Sequence, residues 1–295
     1  MITTSTHMEN ELRSQPETWA RAAELARTTD ALPQRGARVA VVGCGTSWFI
    51  AQAYATLRER SGAGVTDAFA ASEMPDRDYD AIVALTRSGT TTEVLQLAER
   101  MKGRTPVIGV VGDETSPLMG LLDAAVTLPF ADEVSVVQTR FATTALALFR
   151  ASLGEDLAPA IADAERAIAE DLDPDLVAAE QYTFVAGGWA IGLAHEAALK
   201  MREASQSWTE SYPAMEYRHG PISIAAPGRV TWAFGDMPAG LAEDVARTGA
   251  RFEQSGVDPM ADLVRAQRVA LARALSRGLN PDEPRNLTRS VILDA

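Results

Sequence analysis

The sequence predicts an α/β fold: a parallel sheet with helices on both faces. Three observations carry that expectation. Apolar, β-branched runs of six or seven residues recur at 38–43 (RVAVVG), 64–70 (GVTDAFA), 81–86 (AIVALT), 106–112 (PVIGVVG) and 124–130 (AAVTLPF). Helical patterns lie between them, clearest at 47–60 and 91–102. Nearly continuous apolar strands that alternate with helices are what a sheet buried on both faces requires.

The elements follow in order. Residues 9–29 (ENELRSQPETWARAAELARTT) read as a helix, or a helix pair broken near Pro16, because proline lacks the N–H and crowds the preceding turn. The five strands come next. A long helical region spans 138–171, opening on the amphipathic TRFATTALALFRASLG and continuing in APAIADAERAIAEDL. A second unit starts near Gln181. YTFVAGGWAIGLAHEAALKM lines up with RVAVVGCGTSWFIAQAYATL, with Gly187 falling 144 positions after Gly43. Both stretches show a strand, glycines and an Ala-rich helix, which suggests a duplicated α/β unit. The second copy reads as trimmed. After RVTWAFGD (229–236) and ARFEQSG (250–256), few strands remain before the helix ADLVRAQRVALARALSRG. The tail NPDEPRNLTRSVILDA has turn chemistry and then an extended end.

Composition removes several classes of function. The 295 residues are 46% hydrophobic and 23% charged, with a formal net charge of −13. No basic excess exists to displace counterions, so nucleic acid is not the expected partner. An anionic ligand would have to be held by local dipoles against the global charge. Cys44 is the single cysteine, which excludes a disulfide framework and a cysteine-rich metal site. His7, His195 and His219 lie far apart and lack metal-ligand spacing. The opening MITTSTHMENELRSQ has no apolar core, and no stretch approaches the roughly 20 apolar residues of a membrane span. A cytoplasmic protein without a membrane partner is the expectation.

The chemistry starts at the first strand's end. Gly43-Cys44-Gly45-Thr46-Ser47-Trp48 is not a dinucleotide fingerprint, since the third glycine of G-x-G-x-x-G would fall on the bulky Trp48. Nor is it a P-loop, because no Gly-Lys-Ser/Thr follows. It does offer backbone N–H groups, a positive helix start and two hydroxyls. An ordinary capped turn fits the same residues. The third strand ends in LTRSGTTTEVL, where Thr86, Ser88, Thr90, Thr91 and Thr92 cluster around Gly89 ahead of a helix. In a doubly wound sheet of the flavodoxin type the first and third strands are neighbours, and their loops open on the crevice where ligands bind. Two hydroxyl-rich helix starts converging there suit a phosphate monoester. Arg87 either adds charge or points to solvent.

Glu196, Lys200 and Glu203 follow at spacings of four and three, which puts them on one helix face. A surface ion-pair stripe has the same spacing. The Ala, Leu and Met residues around them suggest a buried helix instead, where a carboxylate is suited to proton transfer. His219, in YRHGP, is a second candidate for chemistry, or simply a turn residue.

Taken together, GCGTS, TRSGTTTEVL, HEAALKMREASQSWTESYPAMEYRHGP (195–221) and PDEPRNLTRSV resemble, in this order, the sugar isomerase (SIS) family, specifically the isomerase half of glucosamine-6-phosphate synthase and its shorter two-domain relatives. The resemblance covers roughly residues 9–295. It implies two SIS domains, each a flavodoxin-like three-layer α/β/α parallel sheet, with the second trimmed. The segments are a helical extension at 1–35, a phosphate-binding domain at 36–172, a domain with the catalytic Glu and His at 173–280, and a tail over the site at 281–295. It implies that Ser47, Thr86, Ser88 and Thr91, with Arg87 at the position of a family glutamine, hold the sugar phosphate. Thr46, Val136 and Arg289 line the sugar, Arg289 standing where the synthase has a tail lysine. Arginine is a fixed cation and cannot form a Schiff base, so charge stabilisation is expected there. Glu203 matches the general base, Lys200 a site lysine, and His219 the ring-opening residue that reaches the neighbouring subunit's site, which implies a homodimer. No metal or organic cofactor is implied. The synthase's glutaminase nucleophile has no counterpart, so glutamine-dependent amination is not expected. The leading expectation is aldose–ketose isomerisation with deamination, glucosamine 6-phosphate giving fructose 6-phosphate and ammonia. A fructosamine-phosphate deglycase, a plain phosphosugar isomerase and a non-enzymatic sugar-phosphate sensor compete with it. A pocket of small residues favours the deaminase; an extra cavity beside the reacting carbons favours the deglycase.

Overall fold

The computed structural model describes residues 6–293; residues 1–5 and 294–295, the ends of the expected first and last segments, lie outside the described residues. In chain order the elements are α1 (His7–Arg13), α2 (Gln15–Ala26), β1 (Val39–Gly43), α3 (Thr46–Arg60), β2 (Thr66–Ala70), β3 (Ala81–Thr86), α4 (Thr92–Met101), β4 (Val107–Val111), β5 (Ala124–Thr127) and α5 (Arg140–Ser152). They continue with α6 (Ala158–Ala169), α7 (Pro174–Ala178), β6 (Gln181–Ala186), α8 (Ile191–Ser205), β7 (Thr209–Pro213), β8 (Arg229–Phe234), α9 (Leu241–Ala246), β9 (Arg251–Gln254) and α10 (Pro259–Ser276). The chain divides into two units. Glu17–Val134 and Gln138–Leu157, with the tail from Thr288, form the first-sheet unit; Ser135–Val137 and Ala158–Leu287, with the chain up to Pro16, form the second-sheet unit.

The first sheet has the order β2-β1-β3-β4-β5 and is parallel throughout. Every residue of β1, β3 and β4 is buried, as their unbroken apolar runs require. On one face, Val94, Leu97, Ala98 and Met101 of α4 pack with Ala40, Val42, Ile82 and Ala84. The three larger of these helix residues each contribute about 1.5–3 kcal/mol by leaving water. On α3 and α5, Tyr54 stacks on Phe149 with ring centroids 3.9 Å apart. Trp19 of α2 donates to Thr143 Oγ1 at 2.9 Å, which satisfies the buried indole N–H.

The second sheet has the order β7-β6-β8-β9, again parallel. This is the order of the first four strands of the first sheet, and the described residues add no fifth. α8 packs on β6, β7 and α10, so its Ala-rich face is buried. Val185, Tyr217, Ala233, Leu241 and Val245 form a core cluster on this unit.

The expected helix over 9–29 is a pair, as the proline suggests, but the break falls at Ser14. Pro16 sits in the first turn of α2, where no N–H is needed. The long helix over 138–171 is also two: α5 ends at Ser152 and Gly154 adopts φ +92° before α6. No helix among the described residues is long and apolar enough to cross a membrane.

Candidate functional site

In the first-sheet unit, β1 lies between β2 and β3, with Val39 level with Ala81 and Val42 level with Ala84. The loops leaving β1 and β3 therefore open from the same end of adjacent strands. The first turns sharply through Gly45 (φ +53°) into α3, and Thr46 and Ser47, its first two residues, are buried. Gly43 is required by close approach: a Cβ there would sit 2.7 Å from the Ser47 backbone carbon. The Ser47 side chain makes no hydrogen bond within the described residues. Burial pushes the Cys44 thiol up to about 11, with the Glu93 carboxylate adding to the shift, so this thiol is poorly suited to act as a nucleophile.

The second loop is tightened by its own hydroxyls. Thr86 Oγ1 accepts from the Gly89 N–H at 3.2 Å, and Ser88 Oγ accepts from the Thr90 N–H at 3.2 Å. Each hydroxyl proton is left to donate. Gly89 adopts φ +60°, and a Cβ there would lie 2.0 Å from Ser116 Oγ. Thr91 is the N-cap of α4 and its side chain caps nothing. Ser47, Thr86, Ser88 and Thr91 thus belong to two neighbouring helix starts that present N–H groups and hydroxyls, an arrangement suited to an anion.

Arg87 does not point to solvent. It is buried, and its Nη2 donates to the Arg289 carbonyl at 2.8 Å. The tail continues along the same loop. Ser290 Oγ meets Thr90 Oγ1 at 2.8 Å, the Val291 carbonyl accepts from the Thr92 N–H at 3.1 Å, and the Leu293 N–H donates to Thr92 Oγ1 at 2.9 Å. Arg289 forks onto Asp132, Nη2 to Oδ1 at 2.6 Å and to Oδ2 at 2.8 Å, while its Nη1 donates to the Glu133 carbonyl. Its charge is spent inside the protein.

Glu133 is a residue that the sequence reading missed. Its buried carboxylate takes the start of α5: Oε1 accepts from the Thr139 N–H (2.6 Å), the Thr139 hydroxyl (2.9 Å) and the Arg140 N–H (2.9 Å), and Oε2 from the Phe141 N–H (3.1 Å). An acidic residue six positions ahead of the N-cap Thr139 has no standard capping-box spacing, so pattern alone gave no signal.

The second-sheet unit holds the remaining candidates. Lys200 is buried on α8 with its Nζ 3.6 Å from Glu196 Oε1 and bonded to Glu203 Oε2. Glu196 is fully buried, whereas Glu203 keeps 18% of its side chain exposed. The triplet is therefore an inward cluster with one end open, not a surface stripe. His219 ends a one-turn helix, Glu216–His219, held by the buried Tyr217 (hydroxyl to Thr231 Oγ1, 3.0 Å) and by Arg218 (Nε to Asp244 Oδ2, 2.6 Å). The His219 ring is exposed and meets neither Lys200 nor Glu203 in a hydrogen bond or ion pair among the described residues. Val136 donates its N–H to the Asp282 carbonyl at 3.2 Å, and the Asp282 carboxylate accepts from the His7 and Met8 N–H groups at 2.8 Å each. Among the described residues no group of three His, Cys, Asp or Glu could hold a metal ion.

The family model described as the SIS domain matches residues 32–153. The chain is also similar to the glutamine–fructose-6-phosphate aminotransferase (isomerizing) of Sulfolobus acidocaldarius, 26% identical over 87% of this chain and 50% of that protein. It thus spans about half the length of the curated relatives it matches. Among solved structures, glucosamine-6-phosphate deaminase from Thermotoga maritima superposes with a TM-score of 0.86 at 24% identity, covering 98% of this chain and 100% of that one. Tagatose-6-phosphate ketose/aldose isomerase from Escherichia coli superposes with a TM-score of 0.81 at 18% identity, covering 100% and 98%. These likenesses extend the shared fold across the chain, beyond the residues that the family model matches.

Proposed function

We propose that this protein is a phosphosugar isomerase that releases the nitrogen of an amino-sugar phosphate, with glucosamine 6-phosphate as the simplest substrate and fructose 6-phosphate and ammonia as products. The Lys200–Glu203 pair carries this reading: a carboxylate that is open to solvent on one side and held from behind by a buried ammonium is placed for proton transfer.

In this reading Ser47, Thr86, Ser88 and Thr91 take the phosphate, and Arg87 orders their loop by fastening the tail. Thr46 and Val136 line the sugar. Glu203 takes the proton from the nitrogen-bearing carbon and returns it to the carbonyl carbon. Nitrogen and oxygen exchange a proton, which leaves an imine and a hydroxyl. Water adds to the imine carbon, the C–N bond breaks with its electron pair on nitrogen, and the amine departs. Lys200 offsets the charge that develops on the enolamine oxygen, and Arg289 positions the loop around Asp132. His219 opens the sugar ring of the partner's substrate, a role that its exposed place in a rigid turn supports and that requires a homodimer.

The test is Glu203→Gln, assayed for ammonia release from glucosamine 6-phosphate. Turnover falls about 10²- to 10⁴-fold, the range of a positioned general base, while the sugar phosphate still binds. Full activity in that variant refutes the assignment. Mixing Glu203→Gln with His219→Ala chains restores one intact site per heterodimer; no recovery refutes the shared histidine.

A further inference from the structure

The His219 ring is exposed and takes no hydrogen bond or ion pair among the described residues, so its direction is set by the chain on either side of it. Two positions earlier, Tyr217 is buried with Val185, Leu241 and Val245, and its hydroxyl meets Thr231 Oγ1 at 3.0 Å. Arg218 is held on three sides. Its Nε donates to Asp244 Oδ2 at 2.6 Å, its Nη2 to the Ala239 carbonyl at 2.8 Å, and its Nη1 to Met215 Sδ at 3.8 Å. Beyond the histidine, Gly220 adopts φ +132°, a conformation that a side chain would resist. Pro221 then fixes its own φ at the start of a second one-turn helix, Pro221–Ile224. Asp244 sits on α9, whose Leu241 and Val245 are fully buried in the same cluster as Tyr217. Its second carboxylate oxygen accepts from Arg247. The hydrogen bond from Arg218 holds the Asp244 carboxyl below its ordinary range, so it is ionised at neutral pH. The Arg218 and Asp244 side chains are each 25% exposed, and an ion pair so open to water adds little to stability. What the pair does supply is a fixed direction, joining the histidine's turn to a helix 26 positions further on.

From this arrangement we propose that Asp244 is a positioning residue for His219: acting through Arg218, it uses α9 to aim the imidazole at the sugar bound by the partner subunit. This rests on the ring-opening role given to His219 above. Ring opening breaks the bond between the anomeric carbon and the ring oxygen while a proton passes from the anomeric hydroxyl to that oxygen. The imidazole must therefore lie within hydrogen-bond reach of the sugar ring. A reacting group displaced by about an ångström forfeits about 100-fold in rate, so an anchor that touches no substrate still governs turnover. Tyr217 fixes the depth of the turn, and the Arg218–Asp244 pair fixes its rotation about that anchor.

Mixed dimers test this one chain at a time. The first chain carries Glu203→Gln and lends its His219; the second carries His219→Ala and keeps its Glu203, so one intact site forms. Asp244→Ala on the first chain lowers ammonia release from glucosamine 6-phosphate by about 10- to 100-fold. Asp244→Asn there, whose amide oxygen still accepts from Arg218, recovers part of that loss. Asp244→Ala on the second chain, whose turn serves no intact site, costs nothing further. Equal losses from the two placements overturn the inference, since Asp244 then serves the fold; no loss from either overturns it as well. If the mixed dimer is inactive before any change at Asp244 while the wild type is active, the shared histidine is refuted. Asp244 is then decided in unmixed protein: Asp244→Ala adds no loss to His219→Ala if it acts through that histidine, and an undiminished loss rejects it. If the wild type releases no ammonia, the proposed reaction is refuted. The positioning role is then read from the anomer interconversion of glucosamine 6-phosphate by exchange NMR, where Asp244→Ala as fast as the wild type rejects it.

Discussion

Replacing Lys200 with methionine keeps most of the side chain's length and removes its charge. Lys200 and Glu196 are 1% and 0% exposed, with Nζ 3.6 Å from Glu196 Oε1. Taking away one member of a pair so buried leaves a carboxylate in a low-dielectric interior, which costs about 3–5 kcal/mol. Glu203 adds little to the loss, because its carboxylate keeps access to water. Urea unfolding of Lys200→Met, followed by the fluorescence of the buried Trp232 on the same unit, should therefore show a drop near 3–4 kcal/mol. Adding Glu196→Gln removes the buried charge and recovers about 2 kcal/mol or more, since an amide is far cheaper to bury than a charge. Activity stays lost in the double variant, because Glu203 still lacks its ammonium. A single variant within about 1 kcal/mol of the wild type would refute the buried-charge argument. Recovered turnover in the stable double variant would refute a role for Lys200 in the chemistry.

Gly43→Ala forces a Cβ onto the start of α3, displacing Ser47. We expect a loss of about 1–3 kcal/mol and weaker retention of sugar phosphates, checked by calorimetric titration; unchanged affinity would dissociate Ser47 from phosphate binding. Glu133→Ala strips the α5 start of its carboxylate and should cost about 2–4 kcal/mol in denaturant unfolding, with Glu133→Gln costing less. Cys44, with its thiol pushed up to about 11, holds little thiolate at pH 8 and should alkylate with iodoacetamide far more slowly than a free thiol; a rate near that of glutathione would contradict its burial.

The strands and the two loops were legible in the sequence because apolar runs buried on both faces leave little ambiguity, and because glycine and hydroxyl clusters mark helix starts. β7 was not. TESYP is an edge strand, only its first residue is buried, and it ends in a proline, so neither alternation nor an apolar run announces it. The Glu196–Lys200–Glu203 spacing was legible, but not its burial, which depends on α10, a helix that starts only at Pro259, covering α8. The partners of Arg87 and Arg289 were illegible for a stronger reason. They are joined across 202 positions, and no local pattern encodes a hydrogen bond from one arginine to the backbone of another.

That long-range bond bears on how the protein is made. The loop after β3 leaves the ribosome about 200 residues before Ser290 and Val291, which supply a hydroxyl to Thr90 and a carbonyl to the Thr92 N–H. Until those residues emerge, the first turn of α4 has one donor without its native acceptor, and buried Arg87 lacks the carbonyl it holds. The five strands of the first sheet can form during synthesis, but the anion-ready end of that sheet is finished only once the segment from Thr288 has been translated. Nascent chains halted before Thr288 should therefore carry a folded sheet whose loop exchanges its amide protons freely.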